Sequence, residues 1–135
     1  MNCQKVKKAL VSFLIGASLI GGSVVTYANC LYVSTKTYID SNTWTSVGGA
    51  TKSTNGTYCT VNILEIYKAD GSSSDYKYLR VKPTTSGTST VCEKYKYKDI
   101  TLPTAYQTAG VYITYYCMGN QPSLDCMITG NFNSN

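Results

Sequence analysis

The chain has 135 residues, no histidine, and twelve lysines and arginines against seven carboxylates, for a formal charge of +5. Three of the lysines, Lys5, Lys7 and Lys8, precede an apolar run, so residues 29–135 carry nine basic and seven acidic side chains, a charge of +2. Such a weak excess gives little support to nucleic-acid binding. Without histidine, neither a Ser-His-Asp nor a Cys-His catalytic site is possible.

The first 28 residues read as a secretory signal peptide. The lysines form a positive region, residues 9–25 are uncharged and apolar, and Thr26-Tyr27-Ala28 supplies small residues at the expected positions before a cleavage point. A retained membrane anchor is the alternative, but the run is shorter than the roughly 20 residues that a spanning helix needs. We therefore predict cleavage after Ala28, a secreted protein of bacterial type, and a single domain over residues 29–135.

Seven strands are predicted in chain order, at a spacing of about 8–15 residues and with no helix. β-Branched and aromatic residues alternate with polar ones in most of them, and turn residues separate them. Residues 57–69 and 76–82 are expected to form one hairpin, and residues 110–118 and 124–131 another. The ranges are 31–39, 43–47, 57–69, 76–82, 90–102, 110–118 and 124–131. The predicted fold is all-β, a small antiparallel β-sandwich or partly closed barrel.

Five cysteines follow the predicted leader, an odd number. In an oxidising compartment we expect two disulfides, which would stabilise a domain of this size. Cys117 and Cys126 flank the turn of the last predicted hairpin and form the first expected pair. Cys59 and Cys92 form the second, which leaves Cys30 as a free or intermolecular thiol.

Little in the chain suggests catalysis. No close cysteine or histidine spacing typical of a zinc site is present, and no metal or cofactor is predicted. Two of the seven carboxylates, Glu65 and Glu93, are the best candidates for a glycosidase pair, although an ion pair with a nearby lysine is the simpler expectation for Glu65. The loop from Asp70 to Asp75 is shorter and less acidic than a calcium-binding loop.

Tyrosine and lysine together are the most suggestive surface feature. Residues 94–98 read Lys-Tyr-Lys-Tyr-Lys, which in a strand would place lysines on one face and tyrosines on the other. Tyrosine pairs an apolar ring with a polar hydroxyl and suits either a thin sandwich or a binding face. The alternative is that the lysines protect a sheet edge while the tyrosines pack inward. The predicted ligand-binding residues are Tyr76, Tyr78, Arg80, Lys94, Tyr95, Lys96 and Tyr97.

These observations predict a secreted, non-enzymatic binding module. Its expected partner is an extracellular protein, a glycan or a cell-wall polymer, with no nucleic acid and with membrane contact only during export. Small size, slight positive charge and cysteines fit a second hypothesis equally well, a secreted toxin-like or bacteriocin-like antagonist.

Overall fold

The computed structural model describes residues 24–27, 29–121 and 124–135, and for residues 24–27 it describes the backbone only. Nine strands and one short 3₁₀ helix (Thr104–Tyr106) account for most of these residues. The strands are β1 (Val24–Tyr27), β2 (Cys30–Ile39), β3 (Thr45–Thr51), β4 (Tyr58–Lys68), β5 (Tyr78–Pro83), β6 (Thr90–Glu93), β7 (Tyr97–Thr101), β8 (Tyr112–Gly119) and β9 (Cys126–Asn133).

The strands form two antiparallel sheets. Sheet A has the order β1-β2-β9-β4-β7, and sheet B has the order β3-β8-β5-β6. The all-β prediction is therefore confirmed. Of the two predicted architectures the described residues form the antiparallel sandwich, with nine strands where about seven were predicted. In the centre of sheet A, β2 and β9 run antiparallel with Cys30 opposite Asn133, and the Ser134 N–H donates to the Asn29 carbonyl at 2.7 Å.

Both predicted hairpins are wrong. β4 belongs to sheet A and β5 to sheet B, while β8 belongs to sheet B and β9 to sheet A. Each connection is therefore an arch that carries the chain from one sheet to the other. A strand shows the same alternation of buried and exposed residues in either sheet, so the pattern predicts the strands and not their partners. The predicted strand over residues 90–102 is likewise two strands, β6 in sheet B and β7 in sheet A.

The core lies between the two sheets and is formed by every second residue of the strands, those whose side chains face the other sheet. In β9 the buried residues Cys126, Ile128, Gly130 and Phe132 alternate with half-buried ones, and β8 has the same pattern. Tyr115 of β8 is fully buried, with its ring centroid 5.1 Å from that of Phe132 across the core. Its hydroxyl is 2.8 Å from the hydroxyl of Ser134, which satisfies the polar end of the ring.

One lysine is also buried. Lys52, just after β3, is 1% exposed, and its ammonium group donates to the main-chain oxygens of Tyr58, Ser134 and Asn135 at 3.5, 3.0 and 3.3 Å. Burial lowers the pKa of this side chain. Lys52 thus links the end of β3 to the start of β4 and the end of β9.

The two predicted disulfides are absent. Cys59, Cys92, Cys117 and Cys126 are free thiols, all buried in the core. Cys117 lies on sheet B and Cys126 on sheet A, so they do not occupy facing positions of one hairpin as expected. Burial raises the pKa of Cys59 and of Cys92 to about 12, which keeps both thiols protonated and unreactive. Cys30, expected to be the unpaired cysteine, is buried at the start of β2.

Most of the predicted signal peptide, residues 1–23 and Ala28, lies outside the described residues. The remaining four residues form β1, which pairs with β2 from Val24 opposite Val33 to Tyr27 opposite Cys30. β1 therefore covers one edge of β2 in this chain.

Candidate ligand-binding groove

A shallow groove lies on the side of the sandwich where the free edges of the two sheets meet. β6 is the last strand of sheet B and β7 the last of sheet A, and residues 94–96 connect them. The groove has a volume of about 300 Å³, at the lower end of the range for small-molecule sites, about 300–1,000 Å³. We call it the edge groove; it is lined by Tyr78, Val91, Glu93, Lys96, Tyr97 and Lys98.

Backbone hydrogen bonds fix the connection that closes the groove. The Tyr95 N–H donates to the Ile63 carbonyl of β4 at 2.8 Å, and the Lys94 N–H donates to the Lys77 carbonyl at 2.8 Å. Tyr95 has a φ of +68°, which is unfavourable for a residue with a bulky side chain. The contacts with β4 and with the residue before β5 hold the connection in this conformation.

Glu65 of β4 anchors the same connection through side chains. Its carboxylate accepts a hydrogen bond from the Tyr95 hydroxyl and forms an ion pair with the Lys94 ammonium group at 3.2 Å. The hydrogen bond from Tyr95, followed by the attraction of Lys94, lowers the pKa of Glu65 although partial burial opposes this shift. Glu65 therefore makes the ion pair with a lysine that is the simpler expectation from the sequence. Both of its carboxylate oxygens contact side chains of the β6–β7 connection.

The chemistry of the groove combines exposed aromatic rings with cations. Tyr97 and Tyr78 are 65% and 48% exposed, so neither ring is required to fill the core. Lys96 pairs with Glu93 at 2.7 Å, whereas Lys98 makes no ion pair with any described residue. The lining therefore carries one more positive than negative charge.

Lys98 has a specific position in this arrangement. It lies on the same face of β7 as the buried Ile100 and opposite the buried Val61 of β4. At the edge of a sheet, a lysine in an inward position can lay its aliphatic stem against the core and keep its ammonium group in water. Burial raises the pKa of Cys92 on the facing sheet, and the positive charge of Lys98 partly opposes that shift.

Three of the seven predicted ligand-binding residues, Tyr78, Lys96 and Tyr97, line the edge groove. Lys94 and Tyr95 lie on the adjoining connection and contact Glu65. The strict strand alternation predicted for residues 94–98 is wrong, because β6 ends at Glu93 and β7 begins at Tyr97.

The structure places the other two predicted residues outside the groove. Tyr76 is half-buried, packs against the core and lines a separate cavity of about 40 Å³, room for about one water molecule. Arg80 lies on the outer face of β5 and donates from Nε to Asn120 Oδ1 at 3.4 Å.

Sequence reasoning missed Val91, Glu93 and Lys98 as groove residues. Val91 and Glu93 enter the site because β6 pairs with β5, with Glu93 opposite Tyr78 and Val91 opposite Arg80. The Ser/Thr/Gly loop between these strands was the available signal, since a short loop between two alternating runs is typical of a hairpin. Lys98 was visible in the Lys/Tyr run itself.

A scan against protein-family models gives no match to this chain, and searches of curated proteins and of solved structures give none either. Among the described residues, no three histidine, cysteine, aspartate or glutamate side chains are grouped closely enough to hold a metal ion. The same part of the chain contains no helix that is both long and apolar enough to span a membrane.

Proposed function

We propose that the chain is a small secreted binding module that holds an anionic extracellular polymer, such as a cell-wall polymer or an acidic glycan, in the edge groove. The observation that carries this proposal is the pairing of two exposed tyrosine rings with Lys98, a cation that has no carboxylate partner among the described residues. An exposed tyrosine ring leaves apolar surface in contact with water, which is unfavourable unless a ligand covers it. Tyrosine is accordingly enriched at binding interfaces.

The parts of the groove have complementary roles in this proposal. The faces of Tyr78 and Tyr97 cover the apolar side of the ligand, and Lys98 attracts its phosphate or carboxylate groups. Lys96 is paired with Glu93, so Glu93 offsets its positive charge and Lys96 attracts the ligand less than Lys98 does. The chain acts by adhesion, without catalysis, and reaches the cell exterior after removal of residues 1–28.

The test compares two double variants that carry the same substitutions. Y97A/K98A alters the edge groove, and Y58A/K68A removes an exposed tyrosine and an exposed lysine of β4 that do not line it. Binding is measured on beads coated with teichoic acid, alginate or neutral dextran at several salt concentrations. We expect binding to at least one anionic polymer, about tenfold weaker for Y97A/K98A and unchanged for Y58A/K68A, with an affinity that falls as salt rises.

Equal binding by the two double variants, or equal binding to dextran and to the anionic polymers, would refute the proposal. The start of the secreted chain is measured separately, by N-terminal sequencing of protein recovered from the medium. A first residue of Asn29 supports the proposed export.

A further inference from the structure

A second depression lies on the outer face of sheet B and shares no residue with the edge groove. Its volume is about 170 Å³. Every side chain that lines it carries a hydroxyl group, and none carries a charge. We call it the hydroxyl depression; it is lined by Thr84, Thr85, Tyr106, Tyr112, Thr114 and Tyr116.

Three elements build the depression. In β8 the outward residues Tyr112, Thr114 and Tyr116 alternate with the buried Ile113 and Tyr115. Thr84 and Thr85 follow β5, and the Thr84 N–H donates to the Thr114 carbonyl at 2.7 Å, which holds the end of β5 beside β8. Tyr106 comes from the 3₁₀ helix.

Two unusual backbone features occur here, one beside the depression and one in its lining. Gly49 of β3 lies under the ring of Tyr112, since a Cβ atom there would be 2.7 Å from Tyr112 Cε1 and 2.3 Å from the Ile113 carbonyl oxygen. Thr84 has a φ of +63°, which is rare for a β-branched residue. Such strain persists where surrounding contacts enforce it and is found preferentially at ligand sites.

Hydroxyl groups each donate one hydrogen bond and accept others, as the hydroxyls of a sugar do. A lining of uncharged hydroxyl-bearing side chains matches a neutral polyol. The nearest cation, Lys82, is bonded to the Thr85 carbonyl and lies over the Trp44 ring. Tyrosine rings add an apolar surface beside these hydroxyls. The volume equals that of about five or six water molecules, at about 30 Å³ each, which suits one sugar ring and not a drug-sized ligand.

We infer that the hydroxyl depression binds one neutral pyranose unit of an oligosaccharide. The hydroxyls of Thr85 and Thr114 would hydrogen-bond the sugar hydroxyls, and the rings of Tyr112 and Tyr116 would cover its C–H face. This inference does not depend on the edge groove, which is proposed for an anionic ligand on another part of the molecule.

The only tryptophan of the chain provides a reporter for this site. The Lys82 ammonium group lies 4.6 Å from the centroid of the Trp44 ring and 5.9 Å from that of Tyr116, and it donates to the Thr85 carbonyl at 3.2 Å. A sugar that contacts Thr85 and Tyr116 changes the surroundings of Lys82 and hence of Trp44. Binding is therefore expected to change the fluorescence of Trp44.

The test titrates the protein with maltohexaose, cellohexaose, chitohexaose and mannohexaose, followed by calorimetry and by Trp44 fluorescence. We expect at least one of them to bind with a Kd of about 1 mM or tighter. Thr114→Val removes one hydroxyl and keeps the β-branched shape, so a loss of about 2- to 10-fold in affinity is expected. Tyr112→Ala is expected to weaken binding further, and Tyr97→Ala, in the edge groove, is the matched control that leaves it unchanged.

Each result decides the inference. Thermal unfolding of every variant identifies any that is misfolded, and Thr114→Val keeps the test valid if Tyr112→Ala is one of them. Absence of binding to all four oligosaccharides overturns the inference, as does an affinity that Thr114→Val leaves unchanged. A sugar whose binding is lost in Tyr97→Ala and kept in Thr114→Val binds in the edge groove, which also overturns it.

Discussion

Lys52 is a residue whose role depends entirely on tertiary structure. In the sequence it lies among Thr, Ser, Asn and Gly, where a lysine is expected to be exposed. In the fold its ammonium group is surrounded by three main-chain oxygens from two different parts of the chain. No local pattern encodes those partners, so the sequence did not single out this residue.

The first prediction is that Lys52→Met destabilises the protein. The methionine fills much of the same space but leaves the buried main-chain oxygen of Ser134 and the partly buried ones of Tyr58 and Asn135 without this donor. The expected cost is about 1–3 kcal/mol in free energy of unfolding. Urea denaturation at pH 7 measures the change. The matched control is Lys68→Met at an exposed position at the end of β4, where we expect less than about 0.5 kcal/mol. Equal effects at the two sites would contradict the role assigned to Lys52.

Glu65 shows how a single carboxylate can position a site without lining it. Its partners Lys94 and Tyr95 are 29 and 30 residues later in the chain, and they bring the connection between β6 and β7 onto β4. The Lys/Tyr run predicted that a polar aromatic surface would form here. The run could not predict that its first two residues would be used to hold the connection and that only Lys96, Tyr97 and Lys98 would line the groove.

The second prediction concerns the β6–β7 connection as an element. Glu65→Gln removes the ion pair with Lys94, so the Tyr95 amide, bonded to the Ile63 carbonyl, is expected to exchange with solvent more rapidly. The stability loss is about 0.2–1 kcal/mol because the pair is partly exposed. Glu65 has a lowered pKa in the folded state, so its contribution is complete above the ordinary value of 4.5 and disappears as pH falls through the folded pKa.

Hydrogen exchange of the Tyr95 amide at pH 7 measures this effect. Glu93→Gln is the matched control, because it breaks the exposed pair with Lys96 and leaves the contacts with β4 intact. The prediction fails if the Tyr95 amide is equally protected in the two variants.

The third prediction concerns β1, which covers β2 in sheet A. A chain that begins at Asn29 lacks β1, so one edge of residues 30–33 loses its backbone partners. Compared with a chain that begins at Val24, we expect at least tenfold faster exchange of some amides in this segment and stronger self-association at high concentration. Hydrogen exchange and sedimentation measure the two properties. Identical exchange and sedimentation would show that β1 contributes nothing to the sheet.

At the scale of the whole molecule, four buried thiols in both sheets link stability to alkaline pH. In the unfolded chain these thiols ionise near pH 9, whereas burial raises the pKa of Cys59 and of Cys92 to about 12 and that of Cys126 to about 11. Their stabilising contribution is therefore complete below pH 9 and is lost as pH rises through the folded pKa values.

The fourth prediction follows from this loss of stability as pH rises. Under reducing conditions the free energy of unfolding is expected to fall between pH 9 and 11, by up to about 1.4 kcal/mol per pH unit for each thiol that ionises only on unfolding. Cys92→Ala and Cys92→Ser both remove one such thiol, so both should show a shallower decline despite different stabilities at pH 7. Urea denaturation at pH 8, 9, 10 and 11 provides the slopes. A slope equal to that of the unmodified protein in both variants would contradict the prediction.

The whole fold also shows which information a local pattern contains. Alternation in β5, β8 and β9 predicted strands that the structure confirms, and the all-β sandwich followed from their number and spacing. The sheet to which each strand belongs could not be predicted from alternation, because the connections after β4 and β8 have the same sequence features as hairpin loops. The same error produced the expected Cys117–Cys126 disulfide and hid the hydroxyl depression, whose residues come from three separate elements.

The adjacency of β2 and β9 has a mechanical consequence. Cys30 at the start of β2 is paired with Asn133 at the end of β9, so residues 29 and 135 leave the sandwich at the same end. A force applied between these two residues loads the β2–β9 ladder one hydrogen-bonded pair at a time, as in the opening of a zipper. Antiparallel strands pulled from opposite ends would instead share the load among all their pairs. The sandwich is therefore expected to resist tension poorly along this axis, and anything joined to both ends of residues 29–135 would emerge side by side.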